Sequence, residues 1–206
     1  IKASELYTIS VANSSSSVNP DKSAELSFEY YGPANGGIYK YSNGTWIYLP
    51  SRINGNSIST KLSPGSINNR TCTYGVFIDE NARDPYDLRG NWAKDEIAAY
   101  LRRGIAEAYP DGSFRPDSPL TRGQAAAWIN NVYKTKLPAP ETPNNTVTYT
   151  EIEKLMKQAT GDENFKWSYI AEKMALNKDK RSGSFSSVSG TVTRAEAIYM
   201  LYYLNE

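Results

Sequence analysis

The 206-residue chain carries 23 Lys and Arg against 22 Asp and Glu, a net charge of +1, so no overall field draws it to nucleic acid or to an acidic membrane surface. It has no histidine and one cysteine, Cys72, which excludes histidine-based triads, His-ligated zinc and an intrachain disulfide. No apolar run reaches the roughly 18 residues of a membrane-spanning helix, and a first residue of Ile1 rather than methionine leads us to expect an excised or mature fragment.

Up to about Asp79 the chain alternates short runs rich in Tyr, Ile, Val, Thr and Phe with clusters of Ser, Asn, Gly and Pro. ELYTISVA, SAELSFEYY, GIYKYS, TWIYLP, NSISTKL and CTYGVFID read as the strands of an all-β sandwich. In IYKYSNGTWIYL, Asn43-Gly44 accepts positive φ at both turn positions, which predicts a tight hairpin. Further turns are expected at Asn54 to Asn56 and at Ser63 to Ser66.

After ENARDP the pattern changes. In WAKDEIAAYLRRGIAEAY, Ala93, Ile97, Leu101 and Ile105 stand four apart, the stripe of an amphipathic helix, with Gly104 at or near its C-terminal end. A turn follows at PDGSF, and another helix starts after Thr121. The stretch Leu137 to Val147 holds three prolines and reads as a linker. TEIEKLMKQAT, FKWSYIAEKMALN and TRAEAIYMLYYLN beyond it are helical in pattern. The expected fold class is therefore α+β and multidomain: a β-sandwich module over 1–83, helical repeats over 84–138 and 148–206, and a linker over 139–147.

The two helical stretches repeat one another. Setting Arg122 on Arg194 aligns Gly112-Ser113-Phe114 with Gly183-Ser184-Phe185, Trp92 with Trp167, and Ala125, Ile129 and Val132 with Ala197, Leu201 and Leu204. Helix-turn-helix units of this kind expose an apolar face and need neighbours. TRGQ and TRAE read as capping boxes, in which Thr121 or Thr193 caps the N3 amide and Gln124 or Glu196 reaches back to the cap. That leaves Arg122 and Arg194 unexplained, since a positive charge opposes the helix dipole there. Two readings stand: each arginine packs on a ring or pairs with a carboxylate, or free N–H groups and a guanidinium form an anion site.

The stretch DLRGNWAKDEIAAYLRRGIAEAYPDGSFRPDSPLTRGQAAAWI resembles the S-layer homology (SLH) motif of bacterial surface proteins, through Asp87, Trp92-Ala93, Gly104-Ile105, Tyr109 to Pro116 and Thr121-Arg122. It departs at Asn91, Ala108 and Gly123-Gln124. The second copy is degenerate, keeping Trp167, Gly183 to Phe185 and Thr193 to Glu196. The resemblance implies a three-pronged bundle, present here in part, and non-covalent anchoring to the cell wall through an anionic, pyruvylated secondary wall polysaccharide associated with peptidoglycan. It implies an extracellular location at the bacterial surface. Carried over, the ligand-binding positions are Arg122, Arg194, Trp92, Trp167 and Asp87, joined by the capping Thr121 and Thr193. With only two repeats read, a second molecule is one candidate for the missing prong, and self-association is expected if the bundle stays open.

No enzyme is expected, and no cofactor, metal, nucleic acid or membrane insertion. The carboxylate pairs Asp79-Glu80 and Asp95-Glu96 are adjacent in sequence and do not face each other across a substrate. The alternative to a wall anchor is an SLH-derived scaffold that makes protein–protein contacts and no longer binds sugar.

Overall fold

The computed structural model describes residues 1–10, 24–62, 71–168 and 190–205. It is mixed α+β and divides into two compact units, residues 1–84 and 85–205. The expected turn at Ser63 to Ser66, the second Gly-Ser-Phe at Gly183 to Phe185 and most of FKWSYIAEKMALN lie outside the described residues.

The first unit holds two antiparallel sheets. One runs in the order β1 (Tyr7–Ser10), β7 (Thr71–Ile78), β3 (Gly36–Ser42), β4 (Thr45–Leu49); the other is β2 (Ala24–Glu29), β6 (Ser57–Leu62), β5 (Ser51–Asn54). The β3–β4 hairpin forms as its turn demands. Asn43 and Gly44 have φ of 48° and 83°, and Tyr41 pairs with Trp46, Tyr39 with Tyr48. The strand pattern did not predict β5. Pro50 ends β4, and Ser51 to Asn54 moves to the other sheet, where Ile53 pairs with Ile58. Pro cannot donate to a ladder, so it suits the point where the chain changes sheets. Inward residues of both sheets, among them Ile38, Val76, Ile58 and Leu62, share one core that also buries Cys72.

Among the described residues the second unit has four α-helices of known extent: α1 (Lys94–Arg102), α2 (Arg122–Tyr133), α3 (Tyr149–Thr160) and α4 (Arg194–Asn205). α1 ends as Gly104 predicts, with φ of 66° and the Ile105 N–H donating to the Tyr100 carbonyl at 2.9 Å. α2 packs on both α3 and α4, and α1 packs on α4. Residues 194 to 201 of α4 are all buried, the signature of a helix surrounded on every side.

Three of these helices begin alike. Thr121 and Thr148 each accept the N3 amide while Gln124 and Glu151 reach back to the cap N–H. At α4 the Glu196 N–H donates to Thr193 Oγ1 (3.2 Å), and the Thr193 N–H donates to Glu196 Oε2 (2.9 Å). The residues just before the caps join in a closed ring of backbone hydrogen bonds. The N–H of Leu120 donates to the carbonyl of Val192 (2.8 Å), Val192 to Val147 (3.0 Å), and Val147 to Leu120 (2.9 Å). All three side chains are fully buried. Among the described residues there are therefore three equivalent helix starts where the sequence pattern gave two. The middle one, VTYTE at 147–151, keeps the threonine and glutamate and carries Tyr149 where the others carry arginine.

The ring also changes the picture of the proline-bearing stretch. Expected as a linker, it is held against α2: the carbonyls of Pro143 and Asn145 accept from Gly123 (2.9 Å) and Arg122 (2.8 Å). A Cβ on Gly123 would come within 3.2 Å of both Pro143 Cβ and its carbonyl oxygen, which accounts for glycine here where the equivalent position on α4 is Ala195.

Candidate functional site

Of the two readings left open for the helix starts, the one with free N–H groups offered to an anion does not hold at α2 or α4. At α2, N1 and N2 donate to Asn145 and Pro143; at α4, Arg194 and Ala195 donate to the carbonyls of Ser118 (3.0 Å) and Pro116 (2.9 Å); at α3, Tyr149 donates to Gly190 (3.4 Å). The N3 amides go to the capping threonines Thr121, Thr148 and Thr193. A buried donor needs a partner, and neighbouring repeats provide it. Thr121 and Thr193, included as candidate ligand contacts, spend their side chains on these caps.

The residues that follow the threonines have separate fates. Arg194 is 1% exposed. Its Nε donates to the Phe114 carbonyl (2.8 Å) and Nη2 to the Glu107 carbonyl (3.1 Å). The guanidinium lies over the rings of Phe114, Tyr109 and Trp128, at 4.3, 4.9 and 5.0 Å, close enough for cation–π attraction. Burial lowers its pKa, because a low-dielectric setting disfavours the charged form. Tyr149, in the equivalent place on α3, donates to Glu196 Oε2 at 2.9 Å and packs against Trp167, centroids 4.9 Å apart. Trp167 is itself 1% exposed.

Asp87 holds the turn that contacts Arg194. Its two oxygens accept from the N–H groups of Phe114 (2.9 Å) and Arg115 (2.7 Å). Arg115, at φ 57°, is pinned there while its side chain pairs with Asp111 at 2.8 Å. The Ser113 hydroxyl beside Asp111, with the Ser113 N–H and Arg115, holds that carboxyl well below its usual range. Trp92, half-buried, packs on Tyr199 of α4 at 5.3 Å. Of the carried-over positions, Asp87 and Arg194 converge on Phe114, while Trp92 and Trp167 pack elsewhere.

Arg122 lines a groove. The groove, of about 520 Å³, has three sides. α2 contributes Arg122 and Ala126; α3 contributes Glu151, Lys154, Leu155 and Gln158, one face at i, i+3, i+4 and i+7. Residues 138–142 form the third, with Pro138 and Pro140 supplying flat apolar rings and Glu141 a carboxylate. The Arg122 side chain is 34% exposed. Its Nη2 pairs with Glu151 Oε1 and its Nη1 donates to Thr142 Oγ1 at 2.6 Å, so it ties all three sides together. Its Nε is shut off from solvent with no partner. Glu151 also accepts from the Thr148 N–H (2.8 Å) and hydroxyl (3.0 Å). Those bonds, the backbone one first and then Arg122, lower its pKa.

Sequence reasoning missed Glu151, Thr142 and Lys154. The signal that reaches Glu151 is the capping box Thr148-x-x-Glu151, obscured by tyrosine in the arginine position. Among the described residues no cluster of His, Cys, Asp and Glu could hold a metal ion, and no helix is long and apolar enough to cross a membrane.

Comparison with known proteins follows the same geometry. Residues 86–126 match the model of the S-layer homology domain, which spans Asp87, Trp92, α1, the Gly-Ser-Phe turn and the start of α2. Over 40 residues (19% of the chain) the sequence is 50% identical to an outer membrane protein SlpA of Deinococcus radiodurans. Over 44 residues (21%) it is 36% identical to a cellulosome-anchoring protein of Acetivibrio thermocellus, and over 141 residues (65%) it is 27% identical to an endoglucanase of a Bacillus species. These stretches make up 3%, 10% and 14% of the respective proteins, so the chain corresponds to a small part of each.

Proposed function

We propose that this chain, whose residues 86–126 are an S-layer homology domain, is a non-catalytic module that anchors a larger protein at the bacterial surface by holding an anionic, pyruvylated wall polysaccharide in the α2–α3 groove. The observation that carries the reading is the groove itself: it opens beside Arg122, the arginine of the family's capping motif, and joins cationic side chains to proline rings. Sugar rings present C–H faces that pack on such surfaces, and a pyruvyl ketal adds a carboxylate for a cation to meet. The kinship to a cellulosome-anchoring protein and to SlpA supports a location outside the cell. The endoglucanase match covers 14% of that enzyme, a share that fits an appended module.

In this reading Arg194 and Trp167 serve the fold. Their burial is also what favours the second reading, a surface scaffold that makes protein contacts and has given up sugar. The ring of Leu120, Val147 and Val192 closes within one chain, so completing it requires no second copy.

Co-sedimentation of the full chain with purified walls separates the readings. Binding to native walls, lost when the pyruvylated polymer is stripped, is the expected result. Equal binding to stripped walls overturns the anchor in favour of the scaffold. Release of reducing ends from the polymer would overturn the non-catalytic assignment.

A further inference from the structure

The resemblance gives the anionic group of a ligand to Arg122. In the groove that arginine is already committed: Nη2 to Glu151, Nη1 to Thr142, and Nε closed off from solvent. Glu151 stays ionised to low pH and matches the guanidinium charge for charge. An incoming carboxylate would meet a guanidinium whose charge is already balanced by a carboxylate tethered in its own capping box, and it would gain less there than at an unpaired cation.

One other cation faces the groove. Lys154 lies one turn along α3 from Glu151 on the same face and lines the cavity. It has no ion-pair or hydrogen-bond partner among the described residues, and it is exposed. The groove's charges are thus two pairs of opposite sign, of which Arg122 and Glu151 cancel locally. Lys154 and Glu141 remain on facing sides, not in contact.

We propose that Lys154 is the residue that meets the ligand's acidic group, and that Arg122 is a positioning residue whose clamp on Glu151 and Thr142 fixes the shape of the groove. The inference rests on the anchoring reading above. It goes further by assigning the charge contact to a residue outside the family's capping motif. Glu141 acts in the opposite sense, repelling an acid from across the groove, so the two side chains set how strongly the site selects acidic over neutral polymer.

The test uses the full chain with two probes, the native wall polysaccharide and the same polymer depyruvylated by mild acid. Lys154→Gln should weaken binding to the native polymer by about five- to tenfold. Binding to the depyruvylated polymer should stay unchanged, and salt dependence should flatten. Lys154→Arg should keep native affinity, and Glu141→Gln should raise it by about two- to threefold. Thermal melting of Lys154→Gln should match the wild type, because the side chain has no partner to lose. If Lys154→Gln binds the native polymer as the wild type does, while Arg122→Lys loses the preference for it, the assignment to Lys154 fails and the anchor stands. If the wild-type chain itself binds both polymers equally, the carboxylate has no receptor in the groove, and both readings fall.

Discussion

Arg122 and Arg194 follow the same kind of capping threonine at the start of helices of equal length, yet one borders an open groove and the other is sealed inside. The caps are equivalent in geometry, so the helix start does not decide. The surroundings do. α4 is enclosed along its first two turns, and there the guanidinium finds carbonyls and three rings. α2 presents its first turn to the chain between Leu137 and Val147, and Arg122 finds Thr142 and Glu151. A motif can thus be kept for two reasons at once: threonine and glutamine or glutamate for the cap, arginine for whatever lies across from it.

The contrast is broken most directly at Arg194. Arg194→Ala leaves the buried Phe114 carbonyl and the part-buried Glu107 carbonyl unpaired and empties an aromatic box, and should cost about 3 kcal/mol, read by urea unfolding followed at the helical far-ultraviolet signal. Arg194→Lys should recover only part, since an ammonium lacks the planar fork that serves both carbonyls. Glu151→Ala removes a cap acceptor and a partly exposed ion pair together, for about 1–2 kcal/mol. Arg122→Ala should cost about 0.5–1 kcal/mol by the same measurement. An equal loss at Arg122 and Arg194 would mean that the distinction between groove and core is wrong.

The smallest effect is in pH. The folded-state carboxyl of Glu151 is depressed, so its contribution is full above the unfolded value near about 4.3 and fades as pH falls through the folded value. Glu151→Gln keeps the reach-back acceptor, as Gln124 shows on α2. This variant should lose less stability than the wild type on acidification from about pH 5 to pH 3, with the two melting curves converging.

What could be read in advance was local. Asn43-Gly44 needs only its own backbone preferences to turn, and Thr121 and Thr193 reach partners three residues away. β5 escaped because SRIN is short and sits directly after Pro50, so its separation from β4 shows only in the sheet pairing. The third helix start escaped because Tyr149 replaced the arginine that marked the other two. The burial of Arg194 was beyond reach for another reason: its acceptors, Glu107 and Phe114, lie 87 and 80 residues away in sequence. The groove draws on α2, α3 and the stretch between them, and no periodicity in one segment reports on all three.

The hydrogen-bonded triangle of Leu120, Val147 and Val192 has a bearing on how the unit is made. While the chain is still emerging, the N–H of Leu120 and the carbonyl of Val147 have no mates until Val192 arrives, and α4, which is enclosed, comes last of the four described helices. The triangle therefore closes only once Val192 has been made, and trimming away α4 would remove the middle of the object, not its edge.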